Sequence, residues 1–283
     1  MKGNFIASLV VASCLAIPGI ALANTPPIRI TYVSSWQSSN IETHIVGKLI
    51  QEKMHLPVRL ISTEAGPMWA SVAKGSADLT VTAWLPYTQK QYWQRFQHQV
   101  VNLGPITTGT WAGLAVPSYV PVHSLSQLEH YHHNFNGRII GIGDGAGVMI
   151  TTREAIKAYG MHHMHLLASS TPAMEAQVAR SVARKKWVVF TCWKPLGIWA
   201  KFHLRPLADP KNIYGKPGNI DAVINPELKH THPALVKFLG KVNIPLPEVQ
   251  AMMVEKQDGK PMTEIVQKWI TSHQAEVASW LKA

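Results

Sequence analysis

The chain has 283 residues, with 27 Lys and Arg against 16 Asp and Glu, and a formal net charge of +11. This length suits one large domain or two domains of ordinary size, with enough residues for a core in either case. The basic residues are spread along the chain instead of forming one basic face, so the composition argues against a nucleic-acid-binding protein, and we expect no nucleic-acid partner.

The first 23 residues have the pattern of a secretory signal peptide. Lys2 provides a positively charged start, residues 5–20 are largely apolar, and the small-residue sequence Ala-Leu-Ala at 21–23 precedes Asn24. Cleavage before Asn24 would remove Lys2 and lower the formal charge by one. We therefore expect an exported chain that begins at Asn24.

An alternative is a lipoprotein signal, in which residues 11–14, Val-Ala-Ser-Cys, form the lipobox and Cys14 carries the lipid. This alternative does not explain the apolar residues 15–23 after Cys14, which end in a good cleavage site. We favour removal of the whole segment. Cys192 is then the single cysteine and cannot form an internal disulfide, so the exported fold must rely on its core.

Short β-branched runs alternate with helical patterns in the N-terminal part of the chain. The predicted elements are a strand at 28–33, a helix at 41–53, a strand at 58–61, a helix at 68–74, and strands at 78–83 and 113–116. Strands that alternate with helices are typical of parallel βαβ units. The Ser-rich segment before the first helix is expected to cap it.

The same layout recurs in the second part of the chain. The predicted elements are helices at 124–131, 148–159 and 172–184, strands at 138–142, 165–167, 187–191 and 220–224, and C-terminal helices at 233–242, 246–258 and 261–282. Two such units in one chain predict an α/β fold of two lobes with a ligand cleft between them.

Three tryptophans, Trp36, Trp84 and Trp193, each follow a predicted strand. We expect each on the loop beyond the carboxyl end of its strand, where open α/β sheets bind ligands. A trimethylated nitrogen has no N–H group to donate, and an indole face attracts such a cation by about 0.5–2 kcal/mol. The three residues therefore predict an aromatic box for a quaternary ammonium ligand.

Tryptophan is also a common core residue, which is the alternative for any one of these three, and the chain has 10 of them. Four lie within helix or strand patterns and are assigned to packing: Trp69, Trp187, Trp269 and Trp280. Trp111 and Trp199 are left unassigned.

A glycine-rich segment at 141–147, Gly-Ile-Gly-Asp-Gly-Ala-Gly, stands between a predicted strand and a helix. It matches the dinucleotide fingerprint G-x-G-x-x-A, but the acidic residue expected about 20 positions later is missing. The free N–H groups of Gly147 and Val148 at the helix start suit a smaller anion, such as a carboxylate. A simple glycine-rich turn is the alternative.

Two rival functions involve other residue types. The spacing His162-x-x-His165 is compatible with a metal site, but no Cys or carboxylate cluster accompanies it, and we expect solvated histidines and no metal or cofactor. Cys192 would be the nucleophile of an exported hydrolase or transferase. We expect Cys192 to be a buried packing residue and the protein to be no enzyme.

Several motifs together resemble one family. They are Glu64-Ala-Gly-Pro-Met-Trp69, Gly75-Ser-Ala-Asp78, Ala83-Trp-Leu-Pro86, Gly141-Ile, Gly145-Ala-Gly147, Thr191-x-Trp193-x-Pro195 and Leu207-x-Asp-Pro-Lys211. From about residue 28 to the C-terminus, the chain resembles the glycine betaine substrate-binding proteins of ABC importers, which take up osmoprotectants.

The resemblance implies a periplasmic-binding-protein fold of the type II kind, whose two lobes close on the ligand. We expect residues 28–115 with 221–283 in lobe one and 116–220 in lobe two. By motif, Trp36, Trp84 and Trp193 box the trimethylammonium group, and the amides of Gly147 and Val148 hold the ligand carboxylate. The implied protein is a monomeric periplasmic receptor that delivers a compatible solute to a membrane permease.

Three departures from the family pattern bear on the ligand. Where betaine binders often place a histidine five residues after the WLP tryptophan, this chain has Gln89, which donates a hydrogen bond but stays neutral. Leu196 replaces the histidine of Trp-x-Pro-His, and Gly143-Asp144 replaces an Asp-Pro. Choline, carnitine, proline betaine and dimethylsulfoniopropionate therefore stay open beside glycine betaine.

Overall fold

The first part of the chain forms alternating strands and helices, as its pattern predicts. The computed structural model describes residues 26–282, so the predicted signal peptide and Cys14 lie outside the described residues. The elements in this part are β1 (Ile28–Tyr32), α1 (Gln37–Met54), β2 (Val58–Ser62), α2 (Ala65–Ala73), β3 (Leu79–Leu85), α3 (Lys90–Phe96) and β4 (Val101–Pro117).

The second part repeats this alternation and ends in helices. Two short 3-10 turns, Leu125–Gln127 and His132–Phe135, precede β5 (Arg138–Ile140), α4 (Gly147–Ala158), β6 (His165–Leu167), α5 (Thr171–Ala183), β7 (Val189–Lys194), α6 (Ile198–Lys201) and β8 (Leu204–Pro206). There follow β9 (Gly218–Ile224), α7 (Leu228–Thr231), α8 (Pro233–Leu239), α9 (Leu246–Gln257), α10 (Met262–Ser272) and α11 (Gln274–Leu281).

The strands form one mixed sheet in the order β2-β1-β3-β9-β4-β7-β5-β6, with β8 also paired to β4. The strands β1, β2 and β3 pair in parallel, and so do β5, β6 and β7, whereas β9 and β4 run antiparallel to their neighbours. The prediction of an α/β fold with two parallel βαβ units is therefore confirmed. We call β1, β2, β3 and β9 the first half-sheet and β5 to β8 the second.

The 17-residue strand β4 belongs to both half-sheets. Its residues Val101 to Thr110 pair with β9, with three register shifts, and from Trp111 onward it pairs with β7 and β8. One continuous strand thus connects the two half-sheets. Only residues 113–116 of this strand were predicted from the sequence, because the Gly and Pro residues at 104, 105 and 109 are typical of a loop.

Two predicted helices differ from the structure. The expected helix at 124–131 is a single 3-10 turn at Leu125–Gln127, closed by a capping box of Ser124 and Gln127. Its buried residues Leu125 and Leu128 stand three positions apart, a spacing that a 3-10 turn places on one face. The helices α3, α6 and α7 and the strand β8 were not predicted from the sequence.

The expected helix at 261–282 is broken at His273 into α10 and α11. Trp269 and Trp280 stack at 6.2 Å across this break. In one straight helix, residues eleven positions apart would be separated by about 16 Å, so the break allows both rings to pack together. Among residues 26–282, no helix combines the length and apolar character needed to cross a membrane.

Candidate ligand-binding site

A cavity lies where the two half-sheets meet at β4. About 320 Å³ of space between its walls is free of protein atoms, part of it continuous with solvent. The lining residues are Trp36, Trp84, Thr88, Gln89, Ala112, Ile142, Ala146, Gly147, Val148 and Trp193. All six residues that the sequence analysis proposed for the ligand site line this one cavity, and none of the ten carries a charge.

The tryptophans reach the cavity from different elements. Trp36 is the N-cap residue of α1, on the connection after β1. Contrary to expectation, Trp84 and Trp193 are not on loops but are the penultimate residues of β3 and β7. Both strands stay paired past the ring, through Leu85 with Asn219 and Lys194 with Trp111. The peptide bonds Leu85–Pro86 and Lys194–Pro195 that follow are both cis.

The helix start at Trp36 also differs from the prediction. Helix α1 begins at Gln37, four residues earlier than expected, and no serine side chain caps it. Ser39 instead accepts a hydrogen bond from the backbone N–H of Val33 at 3.1 Å. This bond ties the helix start to the end of the first strand and fixes Trp36 between them.

The three indole rings are nearly closed off from solvent. The exposed fraction is 9% for Trp36, 5% for Trp84 and 6% for Trp193. In the described part of the chain, none of them forms an aromatic pair with another ring, so their faces are not occupied by aromatic neighbours. Such faces suit a methylated cation, which gains both burial and attraction to the ring quadrupole.

Gln89 is held in one orientation by two donors. Its Oε1 accepts a hydrogen bond from the indole Nε1 of Trp69 at 2.8 Å and from the backbone N–H of Trp84 at 3.2 Å. Because both groups only donate, the amide atom that they contact must be the oxygen. The Nε2 group therefore points away from them and can donate to another acceptor. Gln89 is 1% exposed and lines the cavity, so it offers a neutral donor to a bound ligand.

Three further donors belong to residues that line the cavity. Trp84 Nε1 is buried without a hydrogen-bond partner among the described residues. The backbone N–H groups of Gly147 and Val148, at the start of α4, have no acceptor in residues 26–282 either. These amides also lie at the positive end of the helix dipole. Together with Gln89, they form a set of donors that suits an anionic group.

Close contacts join the two sides of the cavity. A Cβ atom added to Gly147 would lie 1.9 Å from the carbonyl oxygen of Thr88, so only glycine fits here. Tyr92 donates a hydrogen bond to the carbonyl oxygen of Gly145 at 2.6 Å. Lys90 and Glu154 form an ion pair at 3.1 Å. These contacts hold the start of α4 against the segment that follows β3.

The remaining tryptophans have packing or supporting positions, and one of them, Trp93, packs edge to face on Trp69 at 6.5 Å. Trp69, Trp269 and Trp280 are buried, as predicted, and Trp187 packs against Tyr131 and Phe135. Trp69 also positions Gln89, which was not predicted, since no local sequence pattern indicates a contact between residues 20 positions apart. The unassigned pair Trp111 and Trp199 pack edge to face at 6.1 Å, and Trp199 Nε1 donates to the carbonyl oxygen of Trp193 at 2.7 Å.

The residues of the rival functions lie elsewhere. Cys192 is fully buried on β7, and burial raises the pKa of its thiol well above the ordinary value, which keeps it protonated. His162 and His165 belong to no group of three metal-ligand side chains in residues 26–282. The one such group there combines Glu129, His132 and His163.

Comparison with known proteins gives a consistent result. Residues 26–272 match the family model described as the substrate-binding domain of ABC-type glycine betaine transport systems. The glycine betaine/carnitine transport binding protein GbuC of Listeria monocytogenes is 35% identical over 147 residues, which cover 51% of this chain and 49% of that protein. The match thus spans about half the length of this relative.

Two further similarities extend over nearly the whole chain. The glycine betaine-binding periplasmic protein OusX of Dickeya dadantii is 21% identical over 100% of this chain and 98% of its own. The crystal structure of lactococcal OpuAC, closed and complexed with glycine betaine, is 33% identical, covers 90% of this chain and 99% of that one, and superposes with a TM-score of 0.84. The chain therefore belongs to the family of substrate-binding domains of ABC-type glycine betaine transport systems, with its two-lobed α/β fold.

Proposed function

We propose that this protein captures glycine betaine, or a closely related zwitterion with a methylated onium group, for uptake through an ABC permease. The observation that carries this proposal is the cavity itself. Three indole rings and the donors of Gln89, Gly147 and Val148 line one uncharged space. A zwitterion has a methylated cation for the rings, an anion for the donors, and no net charge to be compensated.

The donor set favours a carboxylate ligand over choline. Choline carries a net positive charge and a hydroxyl group, and the ten lining residues include no carboxylate to balance it. Burial of an uncompensated charge is costly. Glycine betaine, proline betaine, carnitine and dimethylsulfoniopropionate all combine a methylated onium group with a carboxylate, so they stay the candidates and choline becomes a weaker one.

We propose a receptor role without catalysis, in the periplasm, after removal of the predicted signal peptide. A protonated, fully buried Cys192 argues against a thiolate nucleophile. The two relatives named above are both binding proteins. Turnover of a quaternary amine that is abolished in Cys192→Ser would contradict this part of the proposal.

We also propose that the lobes, expected at 28–115 with 221–283 and at 116–220, close on the ligand like a hinged trap. Strand β4 changes its pairing partner between Thr110 and Trp111, and β9 begins at Gly218. Both points lie within a few residues of the expected boundaries. The ligand would be enclosed between Trp36 and Trp84 on one side and Trp193 with the start of α4 on the other.

Titration calorimetry with glycine betaine tests the proposed box. Trp84→Ala and Trp193→Ala each remove one ring face and its burial, so we expect the affinity to fall by about tenfold or more. Trp280→Ala also removes a buried indole, but one that packs against Trp269 outside the cavity, so it should lower the melting temperature and leave the affinity unchanged. Wild-type affinity in both box variants would refute the box.

A further inference from the structure

Three side chains of the types that bind metals lie close together near the surface, away from the cavity tryptophans. We call Glu129, His132 and His163 the His–Glu cluster. One ligand atom of each lies within 4.8 Å of the others. Glu129 and His132 belong to the segment before β5, and His163 lies in the turn between α4 and β6. None of the three lines the ligand cavity.

One hydrogen bond to a backbone carbonyl fixes the tautomer of His132. Its Nδ1 is 2.8 Å from the carbonyl oxygen of Glu129. A carbonyl only accepts, so Nδ1 carries the proton, and Nε2 of the neutral ring has its lone pair free. Histidines that bind metals commonly donate their other ring N–H to a backbone carbonyl in this way.

His163 and Glu129 are paired in a similar manner. The Nδ1 atom of His163 is 2.6 Å from Glu129 Oε1, and the backbone N–H of His163 donates to Oε2 at 3.2 Å. The Nδ1 atom of His163 therefore already faces the Glu129 carboxylate, and an ion that replaces the proton between them can bind both atoms.

The two rings are stacked, so an ion that binds both requires one of them to rotate. The centroids of His132 and His163 are 4.7 Å apart at an interplanar angle of 25°. The side chain of His163 is 66% exposed, so it can rotate without disturbing a core. Tetrahedral ligands at about 2.0–2.2 Å from a zinc ion are about 3.4 Å apart, which requires shifts on the order of 1 Å from the present positions.

We propose that the His–Glu cluster binds Zn²⁺, or a divalent transition metal of similar preference, through two imidazole nitrogens and the Glu129 carboxylate, with water completing the coordination. Two histidines and one carboxylate form a ligand set typical of such ions. The bound ion would connect the turn between α4 and β6 to the segment before β5. This pairing differs from the spacing His162-x-x-His165 that stands out in the sequence.

Calorimetry with zinc chloride tests the proposal on tag-free, chelator-treated protein. We expect one site in the wild type, a rise in melting temperature with zinc, and a loss of at least about tenfold in zinc affinity for His132→Ala and for His163→Ala. His162→Ala is the matched control, since it removes an exposed histidine from the same turn but outside the cluster. It should bind zinc like the wild type.

Glycine betaine affinity serves as the folding check, because it should be unchanged in all three variants. The proposal is overturned if the wild type binds no zinc, if His132→Ala and His163→Ala bind it as well as the wild type, or if His162→Ala weakens binding as much as they do. Each of these results is independent of the ligand proposed for the tryptophan cavity.

Discussion

Gln89 shows how one side chain is prepared for its partner. The two donors on its Oε1, from Trp69 and from the backbone of Trp84, leave the Nε2 hydrogens as the group it can offer. A histidine at this position would change its charge near neutral pH, whereas an amide does not. We therefore expect carboxylate binding at this position to depend little on pH.

Gln89→Glu tests this role with a side chain of the same size. The new carboxylate can still accept from Trp69 and Trp84, but it donates nothing and repels a ligand carboxylate. We expect the affinity for glycine betaine to fall by about a hundredfold or more, since a buried charge-assisted hydrogen bond is replaced by repulsion. The affinity for choline, which has no carboxylate, should fall much less or even rise.

Parallel titrations with glycine betaine and choline measure the two effects. The melting temperature of the unliganded variant serves as the control for folding. Equal losses for both ligands would show that Gln89 does not face the carboxylate.

At the scale of elements, α1 meets β4 through a buried acid. The hydroxyl of Thr107 is 3.0 Å from Glu42 Oε1 and 2.8 Å from the carbonyl oxygen of Ile244. A hydroxyl has one proton and a carbonyl only accepts, so a protonated Glu42 that donates to Thr107 satisfies both contacts. Burial raises the pKa of Glu42 to about 8, from an ordinary value of 4.5.

This raised pKa makes stability depend on pH. Between about pH 4.5 and pH 8, the unfolded chain has released the proton of Glu42 while the folded chain keeps it, so the free energy of unfolding falls as the pH rises. Glu42→Gln removes this titration. Relative to the wild type, the variant should gain stability on the order of a few kcal/mol between about pH 5 and pH 8.

Urea unfolding of both proteins at several pH values in this range provides the measurement. The difference between the two free energies of unfolding cancels the contribution of other titrating groups. A difference that stays constant with pH would mean that Glu42 is ionised in the folded state.

The elements that carry the site were largely predictable, because strong local patterns define them. Trp36, Trp84 and Trp193 each follow an apolar run, and a glycine-rich turn before a helix indicates free amides. Other contributions come from tertiary contacts without a local pattern. Ala112 reaches the cavity on a strand whose first half resembles a loop, and Trp69 contacts Gln89 through the packing of α2 on the segment after β3.

At the scale of the whole molecule, a hydrogen bond across the cavity would favour the closed arrangement that we propose for the two lobes. The hydroxyl of Tyr92 donates to Gly145 on the other side of the cavity, and its ring stacks on Trp69 at 6.4 Å. If opening separates these groups, the hydrogen bond contributes to ligand affinity and not to the stability of either lobe.

Tyr92→Phe keeps the ring and removes this bond. A net loss of about 1 kcal/mol corresponds to about fivefold weaker betaine binding, with little change in the melting temperature of the unliganded protein. Tyr119→Phe is the matched control, because the hydroxyl of Tyr119 donates to the carbonyl oxygen of Lys186 at 2.7 Å, and both residues belong to the proposed lobe two. Tyr119→Phe should lower the melting temperature and leave the betaine affinity unchanged. Unchanged affinity in Tyr92→Phe together with weaker binding in Tyr119→Phe would contradict the proposed role of Tyr92 in closure.

Ala112 places β4 in the cavity wall, at the point where this strand passes from one half-sheet to the other. A bound solute would contact β4 at this point. In the proposed closure, a change in the angle between the two half-sheets would bend the same part of β4. The bound solute would therefore make β4 more rigid as well as fill the cavity. A transport partner that touches both halves would then distinguish a loaded molecule from an empty one by its resistance to bending.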